Sequence, residues 1–518
     1  MCIRDSFGQM RLPYSRTAPP SAREPATCLR VAEPGAPAKA SHGAVLSPCT
    51  GSLLALKSWP GALAILSLFA LNRSYDGIIG DAVLYVGRGL ANLDPNGVGR
   101  DFLFREDGQS AFSIYPRIVE RLIPHLGLDG TGMVLAGLGL LAWIGALAFL
   151  ARELAVGRLR AAILVLVALL PFGYGAYGVF AFAEPLAVPR PFAEAAVLAG
   201  LAAFMGGRTL LALALMGVSV LFHPIMALAG IGVILLISSI EDRRWLFAGL
   251  ALIALLAAAA AFGAPLLSRL YRVFDAQWWD ILTTRHPYLF PSSWPSDAVA
   301  PLFVQATTIG IAASLARGRV RQVLWASIVV SLASLAVAIL LGDVLRLVLV
   351  VQMQLWRPVW LLAALGAASL ALCAGELWRR GGAFRLVFAV LVIAWAYRQA
   401  PAAALGACAL ALALFARASS GQPFGRLATL GAWLAIGVAL LQYEAGVALA
   451  LAGIFAGMPK DLHFHLQYLR CGELQLVPAA FLAAVSVNSE RLRLRPGLAA
   501  VLGLALAATA IAAWDDRA

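Results

Sequence analysis

Apolar stretches long enough to cross a membrane recur along this chain, separated by short connectors that carry arginine. A helix needs about 20 apolar residues to span the hydrocarbon. The pattern predicts spans at roughly 53–71, 131–150, 161–180, 190–206, 209–222, 224–240, 245–264, 300–316, 322–341, 357–375, 384–398, 401–416, 427–450, 474–489 and 496–513. The period-two alternation of a membrane barrel is absent. Pro224, directly after His223, interrupts an otherwise apolar run, so two half-helices are expected to meet there. Broken backbone at membrane depth is tolerated where it lines a cavity.

Two amphipathic stretches stand apart in the first polar loop, Asn72 to Gly130. On a helix from Gly80 to Leu93, steps of about 100° place Ala82, Val83, Val86, Leu90 and Leu93 on one stripe. Asp81, Tyr85, Arg88 and Asn92 fall on the opposite side. Ile114, Ile118, Leu122 and Leu126 repeat at helical spacing against Arg117, Glu120 and Arg121. Both helices are expected to lie in the membrane interface. The fold class is therefore all-α and polytopic, with roughly 12–15 membrane segments. A single transmembrane domain is expected over 51–518, with a core-like module at 53–240 that includes the first outer loop. Residues 241–518 supply further spans and a second outer loop at 264–300.

Composition agrees: 61% of the 518 residues are hydrophobic and 13% charged, which excludes an ordinary soluble globule. A net charge of +13 would suggest a nucleic-acid partner in a soluble protein. Here Arg152, Arg158 and Arg160, then Arg208, Arg243 and Arg244, Arg317, Arg319 and Arg321, and Arg379 and Arg380 mark alternating connectors. That is the positive-inside pattern, and no nucleic-acid partner is expected. The loops 72–130 and 264–300 then share the opposite face. Cys2, Cys28, Cys49, Cys373, Cys408 and Cys471 form no CxxC pair, and neither a disulfide framework nor a zinc site follows. Residues 1–50 are polar and proline-rich and read as a disordered tail. The opening Met1 to Ser6 resembles a lead-in that recurs on translated metagenomic assemblies, so the natural start is expected nearer Leu53.

Ionisable groups concentrate where chemistry has access to water. Eight of the 27 acidic residues lie in the first loop: Asp76, Asp81, Asp94, Asp101, Glu106, Asp107, Glu120 and Asp129. A short span, Asp81 and Tyr85 as Asp-x-x-x-Tyr on a juxtamembrane helix, Gly89 and Leu90 soon after, an irregular acidic stretch, and a helix near Tyr115-Pro116 leading into the next span follow in that order. This order resembles the start of GT-C glycosyltransferases, the group that includes protein mannosyltransferases and aminoarabinose transferases. The resemblance is concentrated in residues 53–240 and continues only as a stack of spans with one sizeable outer loop. Members often carry Asp-Glu where this chain has Asp81-Ala82. Asp76 could substitute for the missing carboxylate, which leaves a divalent cation open.

The resemblance implies an enzyme of the bacterial plasma membrane that performs inverting sugar transfer from a polyprenyl-phosphate-linked donor. The acceptor is a lipid, glycan or protein at the outer face. Such chemistry asks for a carboxylate near the acceptor hydroxyl and cations around the leaving phosphate. Asp81 is the first choice for the carboxylate, with a helix-capping or dipole role as the alternative. Asp76 is the second choice, although its Tyr75-Asp76-Gly77 setting also suits a plain turn. Tyr85 and Arg88 share the Asp81 face as substrate-binding candidates.

Each phosphate or headgroup candidate has two readings. Arg190 stands where a connector re-enters the membrane and could serve a ligand or pair with Glu194. His223 at the helix break is either functional or a hydrogen-bonded structural histidine. Arg285 and His286 adjoin an aromatic run near Trp278 and Trp279 that suits a headgroup site or interface anchoring. Arg357 could reach a phosphate or snorkel at the start of a span. His463 and His465, two residues apart, point to different sides of a helix and define no metal site. The rival class is a multi-pass transporter or lipid flippase, which would carry ionisable groups at mid-membrane. Against it, the spans are nearly free of acids, with Glu444 and Asp343 as exceptions, and Asp343 is read as opening an interfacial helix. A non-catalytic protein of the same fold is a third possibility.

Overall fold

The computed structural model describes residues 59–75, 77–105, 107, 110–264, 267–422 and 424–456. The expected tail, Asp76, Glu106, the last two expected spans, His463 and His465 lie outside the described residues, as do Cys2, Cys28, Cys49 and Cys471.

The chain folds as α1 (Trp59–Asn72), α2 (Asp81–Leu93), the single turn α3 (Phe102–Arg105), α4 (Tyr115–Leu154) and α5 (Leu159–Leu169). A two-stranded hairpin follows, β1 (Gly173–Tyr174) and β2 (Phe180–Ala181), antiparallel with Gly173 opposite Ala181. Next come α6 (Arg190–Met205), α7 (Thr209–Phe222), α8 (Pro224–Glu241), α9 (Arg243–Ala261), α10 (Ala276–Arg285), α11 (Ser296–Leu315) and α12 (Gly318–Val337). The described chain ends with α13 (Val348–Met353), α14 (Val359–Arg380), α15 (Gly382–Ala396), α16 (Pro401–Ser419) and α17 (Arg426–Ala456). Eight helices among the described residues are long and apolar enough to cross a membrane, so this is an all-α polytopic membrane protein.

Helix α4 joins the second interface stretch to a span. Its one non-helical residue is Gly127, at φ 68°, three residues after Pro124. Glycine takes that left-handed conformation without a Cβ clash, which lets the chain turn from the interface into the bilayer. The expected span 161–180 stops at Leu169 instead. Pro171 cannot continue a hydrogen-bonded helix, and Gly175 (φ 75°) and Gly178 (φ 66°) serve the hairpin turn.

The expected break at His223-Pro224 is present, with His223 extended at φ −157° and ψ 97° between α7 and α8. Its freed carbonyls find donors in the first loop: Ser113 Oγ donates to Phe222 O at 2.7 Å and Ile114 N to Leu221 O at 2.9 Å. Backbone that leaves the helical ladder inside a membrane must be satisfied in this way.

The buried face of α2 differs from the expected stripe. Tyr85 is buried with Ala82, Val86, Gly89 and Ala91, whereas Val83 and Leu93 are exposed. A tyrosine carries a large apolar ring behind its hydroxyl, and this ring packs edge-on against Tyr115 at 6.0 Å. Gly89 permits the close approach of α2 and α4: a Cβ there would lie 2.5 Å from Val119 Cγ1. Asp343 opens no interfacial helix. It lies in a π-helical turn, Ala338–Val344, and accepts a hydrogen bond from Ser292 N at 2.8 Å.

Helix α14 is buried on nearly all sides by α5, α11, α12 and α15. By contrast, α9 presents Phe247, Leu250, Ile253 and Leu255 outward, a face suited to lipid. Two ion pairs tie arginine connectors to the ends of other helices, Arg208 to Glu153 at 2.8 Å and Arg319 to Glu241 at 3.1 Å. In the second loop, Phe274 N donates to Arg346 O at 3.0 Å and Val348 N to Arg272 O at 2.9 Å, fixing the loop to the segment before α13.

Candidate functional site

The site starts at the first residue of α2. Gly80 takes the N-cap position, so Asp81 is free of capping duty, and its Oδ2 accepts a hydrogen bond from Arg190 Nη1 at 2.6 Å. The other edge of that guanidinium donates to Glu184 Oε2 through Nε at 2.8 Å and Nη2 at 2.6 Å. The two carboxylates differ in solvent access: the Asp81 side chain is 41% exposed and that of Glu184 5%. Arg190 is therefore a buried strut that fixes a solvent-facing carboxylate. Burial pulls the Asp81 carboxyl upward, but the charge and hydrogen bond of Arg190, with help from Arg357, hold it below the usual carboxylate range.

The expected Arg190–Glu194 pair does not form. Glu194 is turned away, accepting from Trp143 Nε1 at 3.0 Å and from Ala183 N at 2.8 Å, and thereby holds the end of the hairpin. The hairpin presents Phe180 to both arginines, with Arg190 5.6 Å and Arg357 4.1 Å from the ring centre. Arg357 is nearly buried, and Gln354 Oε1 accepts from its Nε at 2.9 Å. Its Nη1 has no acceptor among the described residues. Two carboxylates occupy Arg190, so Arg357 is the guanidinium with capacity for an anion.

Tyr288 closes the arrangement. Its ring meets Phe180 edge-on at 5.8 Å and His286 at 5.8 Å. Burial raises its phenolic proton affinity, Asp81 adds to that effect, and Arg357 opposes it, so Tyr288 lies within electrostatic reach of both. His223 is buried, and its Nδ1 has no partner among the described residues.

Every non-glycine residue with positive φ among the described residues flanks this region. Tyr177 (62°) and Ala183 (51°) belong to the hairpin segment, and Arg346 (54°) and Gln354 (47°) bracket α13. Such backbone persists where the surroundings over-determine it, commonly at functional sites.

The structure thus brings Asp81, Arg190 and Arg357 together, with His223 and His286 at the periphery. Tyr85 is buried under α2, and Arg88 donates to Phe104 O at 2.6 Å, with no contact to Asp81 among the described residues. Arg285 is exposed at the end of α10, and its side chain makes no hydrogen bond or ion pair among the described residues. Most other first-loop acids serve local structure: Asp94 accepts from Gly97 N, Asp101 from Leu103 N, and Glu120 from Asn92 Nδ2. Glu184, Phe180, Gln354 and Tyr288 are additional site residues. The Gly-rich run after Pro171 was the sequence signal for the hairpin that carries Phe180. No sequence spacing pairs Glu184 with Arg190 and Asp81.

Among the described residues, no group of three or more His, Cys, Asp or Glu side chains converges to hold a metal ion. Arg190 bridges Asp81 and Glu184 at 2.6 Å to each. Comparison with protein-family models, curated proteins and solved structures finds no match, so the functional reading rests on the geometry of Asp81, Arg190 and Arg357 and on the residues around them.

Proposed function

We propose that this protein is a GT-C-like membrane glycosyltransferase that moves a sugar from a polyprenyl-phosphate-linked donor to a hydroxyl acceptor at the outer face of the plasma membrane. One observation carries the reading: a solvent-facing carboxylate, Asp81, is fixed at 2.6 Å by a buried arginine, beside a second arginine with hydrogen-bonding capacity to spare.

The reaction forms a bond between C1 of the sugar and the acceptor oxygen and breaks the bond from C1 to the phosphate oxygen. The acceptor proton passes to Asp81 and then to water, and the polyprenyl phosphate leaves as an anion against Arg357. A depressed pKa makes Asp81 a weak base, suited to orienting the hydroxyl and taking its proton late, once the bond to C1 has begun to form. Arg357 is buried against the Phe180 ring, and partial exclusion of water strengthens its pull on developing negative charge. The arginine connectors lie at the opposite end from this site in the positive-inside reading, which favours an outward-facing site in a bacterial inner membrane.

The break at His223 and the buried Glu194 favour one second reading, a transporter. Purified protein in lipid vesicles with a panel of polyprenyl-phosphate sugars separates the two. Glycosylated acceptor without net solute movement supports the enzyme. Substrate-driven flux with no new glycosidic bond overturns it.

A further inference from the structure

Beside the carboxylate site, Phe274, Trp278, His286, Tyr288, Gln352 and Gln354 line a partly open cleft of about 300 Å³, completed by aliphatic side chains. That volume sits at the low end of small-molecule pockets, roughly 300–1,000 Å³. It suits one compact ring better than a long chain. Its walls are mostly aromatic and aliphatic, with the amides of Gln352 and Gln354 and the imidazole of His286 as the polar groups. A pyranose has the matching character, with an apolar face of C–H bonds and a rim of hydroxyls.

Two residues join the cleft to the site. Tyr288 lines the cleft and touches Phe180, over which Arg357 lies. Gln354 lines the cleft and gives its Oε1 to Arg357 Nε at 2.9 Å, which leaves its amide NH2 as a donor. Gln354 is held at φ 47°, a conformation that costs a non-glycine residue free energy and so marks a position fixed for its side chain.

We propose that this cleft is a hexopyranose subsite in which the ring lies on Trp278 and Tyr288 and Gln354 reads a hydroxyl while it orients Arg357. The proposal rests on the glycosyl-transfer reading, and its test does not need turnover. Full-length protein in lipid nanodiscs is titrated with methyl α- and β-hexopyranosides, and binding is followed by saturation-transfer NMR. Trp278 is 58% exposed, so Trp278→Ala leaves the fold intact, and Gln354→Gly removes the amide while keeping the left-handed backbone unstrained.

Trp278→Ala is expected to weaken glycoside binding about 5- to 10-fold, the scale of one lost aromatic contact. Saturation should fall on the ring C–H protons, and Gln354→Gly should weaken binding as well. Trp325→Ala, on the exposed side of α12, should leave binding unchanged. No saturable glycoside binding, or binding indifferent to Trp278 and Gln354, overturns the subsite. So does Trp278-dependent binding of a short prenyl alcohol in place of glycosides. If transfer occurs with KM unchanged in both variants, the subsite falls and the glycosyl-transfer reading stands. If glycosides bind as expected and no donor supports transfer, the subsite stands and the transfer reading falls.

Discussion

Replacing Arg190 with methionine removes one guanidinium from between two unequal carboxylates, and the inequality sets the size of the effect. Asp81 is 41% exposed and can turn to water, so its arm of the bridge contributes little to stability. Exposed or half-exposed pairs are worth about 0–1 kcal/mol. Glu184 is 5% exposed and loses both of its donors from Arg190. Stranding one partner of a buried pair costs about 3–5 kcal/mol. Asp81→Asn should therefore destabilise by less than about 1 kcal/mol, and Arg190→Met by about 3–5 kcal/mol. Removing the stranded charge as well, in Arg190→Met with Glu184→Leu, should recover most of that loss, because the second substitution removes the cost left by the first. Chemical denaturation in a fixed detergent, read by tryptophan fluorescence, gives these three values and that of Glu184→Leu alone, which completes the cycle. If Asp81→Asn costs as much as Arg190→Met, or if the double variant is as unstable as the sum of its parts, the buried strut is wrong.

Other consequences follow from the same geometry. The Asp81 carboxyl is held below its unfolded value, so its pairing contributes fully above about pH 4 and is lost as pH falls through the lower folded value. The difference in melting temperature between wild type and Asp81→Asn should be flat from about pH 5 to 8 and close only in stronger acid. Gly89→Val should push α2 off α4, since even its Cβ would meet Val119 Cγ1 at 2.5 Å and Glu120 N at 3.1 Å. A loss of about 1–3 kcal/mol is expected in the same denaturation assay. Arg357→Gln should slow sugar transfer by about 10²–10³-fold, as removal of a preorganised charge-stabilising donor does. Lys at that position should restore only part of the rate, because it lacks the planar fork and the ring stacking over Phe180.

What could be read from the sequence was what depends on local pattern. Apolar runs located most of the described long helices, Pro224 located the break, and helical periodicity located α2 and the start of α4. Tyr85 went to the wrong face because a helical wheel assigns an amphipathic side chain by its polar tip, while packing against Tyr115 is decided by its ring. The hairpin after α5 hid inside an aromatic-rich stretch whose hydropathy resembles a span, although its prolines and glycines forbid a helix. Helical spacing offered Glu194 as the partner of Arg190. The actual partners are Glu184, six positions before it in a non-helical segment, and Asp81, 109 positions away and brought there only by tertiary packing. Asp81 itself was singled out by its place after an apolar run, a feature of local order, and its contact with Arg190 could not be read there.

The most direct measurement is the turnover number of Asp81→Asn in lipid, with a donor that the wild-type protein uses, alongside its denaturation midpoint. The proposed mechanism predicts a loss of at least about 10²-fold in kcat with the midpoint nearly unchanged, since the exposed carboxylate contributes to the reaction rather than to the fold. Undiminished transfer by Asp81→Asn would contradict it.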